Sequence, residues 1–168
     1  MFMIAFGDAT VQDLTRNSGS AAQSQYLSAL CGLLAAEGYA VHEDKIYIPA
    51  LEFWNTFVET MVDEIYSVED ERPPWFKSAQ DHVMSVISNC WRKSQFPPGN
   101  IYNSWDSVDR TGFKDARRDF SDLLQQFYLI TGISLLEVFI SLMQASTMWG
   151  VGGWDAIMFK QRSMSVST

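Results

Sequence analysis

Apolar side chains recur along most of this chain at three- and four-residue intervals, the period of a helix with one face turned inward. The pattern is cleanest over Leu51–Tyr66, where Leu51, Trp54, Val58, Met61 and Ile65 make one stripe that Phe57 and Val62 widen. Upstream, Leu27, Leu30, Cys31 and Leu34 predict a helix over Tyr26–Glu37, stopped by Gly38. A short helix is expected over Ala9–Arg16, then a loose stretch from Asn17 to Ser20. Ala40–Pro49 reads as a connector, in which Val41, Ile46 and Ile48 have extended character but no partner strand.

Past Pro73 and Pro74, the positions Ala79, Val83, Val86, Ile87 and Cys90 predict a helix over Trp75–Lys93, ended by Phe96-Pro97-Pro98-Gly99. Residues 100–112 read as a loop or a short turn of helix. Thr111–Thr131 follows as helix, with Phe113, Ala116, Phe120, Leu123, Leu124 and Phe127 inward and a charged opposite face. Gly132 is a hinge point. Ile133–Trp149 is apolar on nearly all sides, as a helix at a bundle's centre would be. Gly150, Gly152 and Gly153 turn the chain into a last short helix, Trp154–Gln161. No repeat is visible. The pattern predicts one all-α domain over residues 1–168, irregular or briefly helical over 1–24 and with a polar tail over 162–168. Six to eight helices would surround a buried hairpin.

Charge narrows the partners. Twelve basic against twenty acidic residues leave a net charge of −8, which disfavours nucleic acid and anionic membranes, since both need a basic footprint. The apolar run Ile133–Trp149 is broken by Glu137, Gln144, Ser146 and Thr147, so no transmembrane anchor is expected, and Met1–Phe6 lacks the basic flank of a signal peptide. The expected compartment is the cytoplasm. Cys31 and Cys90 lie in apolar helical patterns and read as buried thiols rather than a disulfide.

Candidate chemistry is sparse. His42 and His82 belong to no His-x-x-x-His or Cys-x-x-Cys pattern, so no metal and no cofactor is expected. His82 and Cys90 would lie about 12 Å apart along one helix, too far for a nucleophile and its base. Glu59, Asp63 and Glu64 could hold a metal or do acid–base work, but a solvated acidic face is the simpler reading. The run from Lys114 to Asp119 alternates in sign, as exposed helix faces do. No enzymatic activity and no small-molecule substrate are expected. Six tryptophans are many for this length; most should be core, and some could line a groove.

Two segments resemble the B-cell lymphoma 2 family of apoptosis regulators. Residues 25–39 look like its fourth homology region, an amphipathic helix ending in Gly-Tyr, with Leu30, Leu34, Gly38 and Tyr39 on matching positions. Gly152-Gly153-Trp154-Asp155 is similar to its second homology region, with Trp149 standing for the preceding tryptophan. Leu51, Trp54 and Val58 match the apolar spacing of the third region, although Asn55 and Thr56 replace its small residue and aspartate. Asn103-Ser104-Trp105 and Asp109-Arg110 stand where the first region's Asn-Trp-Gly-Arg belongs.

The resemblance implies a Bcl-like bundle that is pro-survival and holds the amphipathic death-motif helix of pro-apoptotic proteins in an apolar groove. It implies a register-setting role for Arg110, with Arg117 second, and a groove lined by Val58, Met61, Val62, Val86, Trp105 and Phe113. Ordinary core packing is an equal alternative for each lining residue. The divergence fits a viral member acting on its host. Peripheral attachment at mitochondria through partners, and a homodimer, are left open. The rival reading is an acidic helical inhibitor or adaptor, of the immunity or anti-defence type, masking a basic partner surface.

Overall fold

A computed structural model describes residues 2–67 and 72–132, with residues 135, 137 and 140 beyond them. The chain divides at Gly132 into a unit of residues 1–132 and a unit of residues 133–168. The described residues of the first unit hold seven helices: α1 (Phe2–Ala9), α2 (Val11–Arg16), α3 (Ala21–Leu33), α4 (Tyr47–Tyr66), α5 (Phe76–Lys93), α6 (Gly99–Ser104) and α7 (Ser107–Thr131). Among the described residues the only β-type pairing is an isolated bridge between Ala40 and Asp44. The all-α expectation therefore holds for this unit. The buried hairpin placed at 133–149, Trp149, and the motif Gly152, Gly153, Trp154 and Asp155 lie outside the described residues.

Helix starts explain most boundary differences. Helix α3 begins five residues before the expected Tyr26, because Ser20 caps it by accepting from the Gln23 amide, an N-cap hidden in what reads as a loose stretch. Helix α7 begins at Ser107 rather than Thr111, because the Asp106 side chain accepts from the Asp109 amide at 2.8 Å. Helix α4 begins at Tyr47, inside the expected connector. The amides of Ile46, the N-cap residue, and of Tyr47, the first helical residue, donate to Asp44 Oδ1 at 3.0 and 3.2 Å. Pro49 sits in that first turn, where its missing N–H leaves nothing unsatisfied.

Helix α4 is the centre of the unit. It packs most extensively on α7 and also touches α1, α2, α3 and α5. Its Leu51, Phe53, Trp54, Phe57, Val58 and Met61 are all essentially without solvent exposure. Burying such side chains contributes about 1.5–3 kcal/mol each by transfer, before chain entropy is set against it. Helix α1 lies close because Gly7 has no side chain: a Cβ there would stand 2.8 Å from the Phe53 ring.

Contacts along the helices give their directions. Arg16, just before α3, pairs with Glu64 near the end of α4, so α3 and α4 run antiparallel. Ser18 bonds the Trp75 carbonyl at one end, and Asn89 bonds the Cys31 carbonyl at the other, so α3 and α5 run parallel. Val41 packs near Gly112, and Gln126 donates to Glu59, so α4 and α7 also run parallel. Arg117 reaches the Ser94 carbonyl, and Arg72 the Ile130 carbonyl, which sets α5 antiparallel to α7. Of the described helices, α3, α4, α5 and α7 thus form two stacked antiparallel pairs, α3–α4 and α5–α7, with α3 beside α5 and α4 beside α7, while α1 and α2 pack on α4.

Candidate functional site

The richest side-chain arrangement gathers where the 34–46 connector meets the end of α5 and the start of α7. The connector is bent sharply there: Gly38 has φ +90°, and Val41 holds φ +73°, a costly value for a β-branched residue. Lys93, in the last turn of α5, donates to the Gly38 carbonyl at 2.6 Å and to Asp44 Oδ2 at 2.8 Å. The Lys93 and Asp44 side chains are 10% and 3% exposed, so this is a buried ion pair. Asp44 therefore does two jobs, starting α4 with one oxygen and holding α5 with the other.

The connector is fixed at α7 as well. The His42 ring stacks on Trp105 with centroids 4.8 Å apart, and its Nδ1 lies 2.5 Å from Asp109 Oδ2. Lys45 Nζ is 3.8 Å from the other Asp109 oxygen. Trp105 is the hub of an aromatic cluster, with Tyr39, Tyr102 and Phe113 at 5.5–5.6 Å. Phe96 packs edge-on to Tyr102 and Phe113, and the Arg117 guanidinium lies 4.2 Å over its ring. Each such contact adds about 0.5–1.5 kcal/mol beyond area burial. Burial lowers the Arg117 pKa, yet a guanidinium stays charged at any ordinary pH. Beside the cluster an open cavity of about 410 Å³ is bounded by Gly38 and Tyr39 on the connector and by Arg92, Lys93, Phe96 and Pro98 at the end of α5.

The residues singled out from the sequence scatter. Leu30 and Leu34 are fully buried core, but α3 ends at Leu33, so Gly38 and Tyr39 stand in the bent connector rather than at a helix end. Val58, Met61, Val86 and Phe113 have no exposed surface, and Val62 is half-buried. Trp105 is buried in the aromatic cluster. Arg110 is half-buried and makes no ion pair among the described residues. The structure brings Tyr39, Trp105 and Phe113 together, and leaves Val58, Met61 and Val62 on α4. Sequence reasoning missed His42, Asp44, Lys93 and Phe96. The Phe96-Pro97-Pro98 stretch carried a signal, an aromatic residue beside a proline pair, which reads first as a helix break.

Two acidic positions of α4 have structural partners: Glu64 binds Arg16 at 2.5 Å, and Glu59 accepts from Gln126. Arg118 bridges Asp115 and Asp119, as the alternating run suggests. Cys31 and Cys90 are free, buried thiols. Burial pushes the Cys90 thiol up to about 12 and raises that of Cys31 as well. A thiol held protonated is a poor nucleophile. At pH 8 the native protein should react with Ellman's reagent at neither cysteine over minutes, and at both once unfolded in guanidinium. Rapid labelling of the native protein would mean that α3 and α5 part readily.

A stretch of 139 residues, 83% of the chain, is 30% identical to the importin beta-like protein kap111 of Schizosaccharomyces pombe. A shorter stretch of 83 residues, 49% of the chain, is 31% identical to importin-13 of Homo sapiens and of Bos taurus. The chain is similar to importins. It spans only 14% of the length of kap111 and 9% of that of importin-13. No protein-family model and no solved structure matches it.

This likeness overturns the apoptosis-regulator resemblance, together with the pro-survival function, the viral origin and the death-motif helix as partner. The physical reason the motifs misled is local. An amphipathic helix followed by Gly-Tyr arises wherever a helix precedes a tight turn, and the stripe of α4 that looked like a groove wall is the inside of a two-layer stack. Attachment at mitochondria loses its basis with those partners. Among the described residues no helix is long and apolar enough to cross a membrane.

Proposed function

We propose that this chain is a helical-repeat segment of an importin-type nuclear transport receptor, that it binds protein rather than catalysing a reaction, and that it moves between cytoplasm and nucleus. The observation that carries the reading is the likeness to kap111 over 83% of the chain. The stacking of α3–α4 on α5–α7 supports it, since antiparallel hairpins stacked with like helices side by side are how helical solenoids are built. A repeat protein of this kind presents extended surfaces to protein partners.

The test is replacement. A kap111 in which this chain stands for the matched stretch should fold, distribute between cytoplasm and nucleus as the parent does, and support growth wherever kap111 is required. A chimera carrying a scrambled helical stretch of equal length should do none of these. Equal performance by the two chimeras, or a stable chimera excluded from the nucleus, would overturn the transport reading.

A further inference from the structure

We propose that the open cavity beside Phe96 is a docking site for an acidic segment of a protein partner, a carboxylate meeting Arg92 while an aliphatic side chain rests on Phe96 and Pro98. The first ground is charge. The chain carries −8 overall, yet no carboxylate is among the cavity's lining residues, and of the two cations there Lys93 is neutralised by Asp44 while Arg92 stays open. Arg117 adds a third cation behind Phe96. On the connector, Glu43 accepts from the Tyr39 amide at 2.9 Å, and Asp44 holds Lys93 at 2.8 Å. The guanidinium of Arg92 is exposed and meets only the neutral Asn89 side chain, with no carboxylate within ion-pair distance among the described residues.

The second ground is apolar. Phe96 is 45% exposed although it belongs to the aromatic cluster, and it stands at the cavity's edge with Pro97 and Pro98. A large ring left open beside an unpaired guanidinium offers both components of a peptide site, apolar contact for affinity and a charge for orientation. The wall is also preset. Gly38 and Tyr39 are held by the Lys93 and Glu43 contacts, and Phe96 by Arg117, Tyr102 and Phe113, so little ordering remains to oppose binding. The inference stands on this surface and not on the transport reading.

The test uses the full chain and a fluorescein-labelled peptide in which glutamates flank one leucine, with glutamine-for-glutamate and lysine-for-glutamate counterparts, followed by anisotropy at about 0.15 M salt. The glutamate peptide should bind in preference to the glutamine one, against the repulsion of the chain's net charge. Arg92→Glu should weaken it by about ten- to a hundredfold, as loss of a hydrogen bond to a charged group does. Arg92 is on the surface, so this variant should unfold at the parent's midpoint, and Arg92→Gln gives the same readout if it does not. Amide shifts on titration should centre on Gly38, Tyr39 and Gln95. A glutamine peptide binding as well as the glutamate one, an unchanged affinity in both Arg92 variants, or shifts centred elsewhere would each overturn the proposal. So would displacement of the peptide by an oligonucleotide of equal charge, because the cavity would then be a generic anion patch.

Discussion

Asp44→Asn should lower the unfolding free energy by about 3–5 kcal/mol, because it leaves the buried Lys93 ammonium without its counter-charge. The substitution is a clean one. Asparagine keeps an oxygen that can still accept from Ile46 and Tyr47, so the start of α4 is preserved and the loss reports the ion pair alone. Lys93→Met should be costly for the mirror reason, since it strands the Asp44 carboxylate. The double variant, with neither buried charge, should recover much of the loss. Urea unfolding of all four proteins at pH 7 measures the coupling. A cost under about 1 kcal/mol for Asp44→Asn would place the pair with ordinary solvent-screened bridges, and the connector would not be fixed to α5 as described.

Phe113→Ala should cost about 3–5 kcal/mol, the range for truncating a buried aromatic side chain. Phe113 has no exposed surface, and its ring meets Phe96, Tyr102 and Trp105 within 5.5–6.2 Å. Val62→Ala, on the half-buried side of α4, should cost about 1 kcal/mol or less, the transfer energy of the atoms removed. The contrast separates two roles that sequence alone gives both residues. A groove wall is tolerant of truncation in the absence of its ligand, whereas a core position is not. If Phe113→Ala unfolds within about 1 kcal/mol of the parent, the aromatic cluster is loosely packed, and the preset wall beside Phe96 loses its support.

The helices themselves were written in the sequence. The stripe of Leu51, Trp54, Val58 and Met61 and that of Val83, Val86, Ile87 and Cys90 have the helical period, and local hydrogen-bonding and burial need nothing beyond that period to express it. Caps were equally local: Ser20 with Gln23, and Asp106 with Asp109, lie within one turn of each other, although a polar stretch disguised the first. What each stripe faces is not local. Met61 and Val62 are neighbours in one pattern, and only the packing of α7 and α5 against α4 decides that one is core and the other half-open.

The site is further still from the sequence. Asp44 and Lys93 are 49 positions apart, and His42 and Asp109 are 67 apart. Nothing in the spacing of such pairs marks them, because they meet only after two hairpins have stacked with like helices side by side. Family likeness has the same limit. Short motifs such as Gly-Tyr after a helix report turn chemistry shared by many folds, while the layer order reports which helices lie together. Local pattern along the chain is enough to make most of α3, α4, α5 and α7 helical, to break them at Gly38 and at Pro97-Pro98, and to leave the chain acidic. The tertiary structure alone decided which apolar faces meet, and so which charges are buried in pairs and which, like Arg92, stay open, because burial is a property of neighbours in space rather than along the chain.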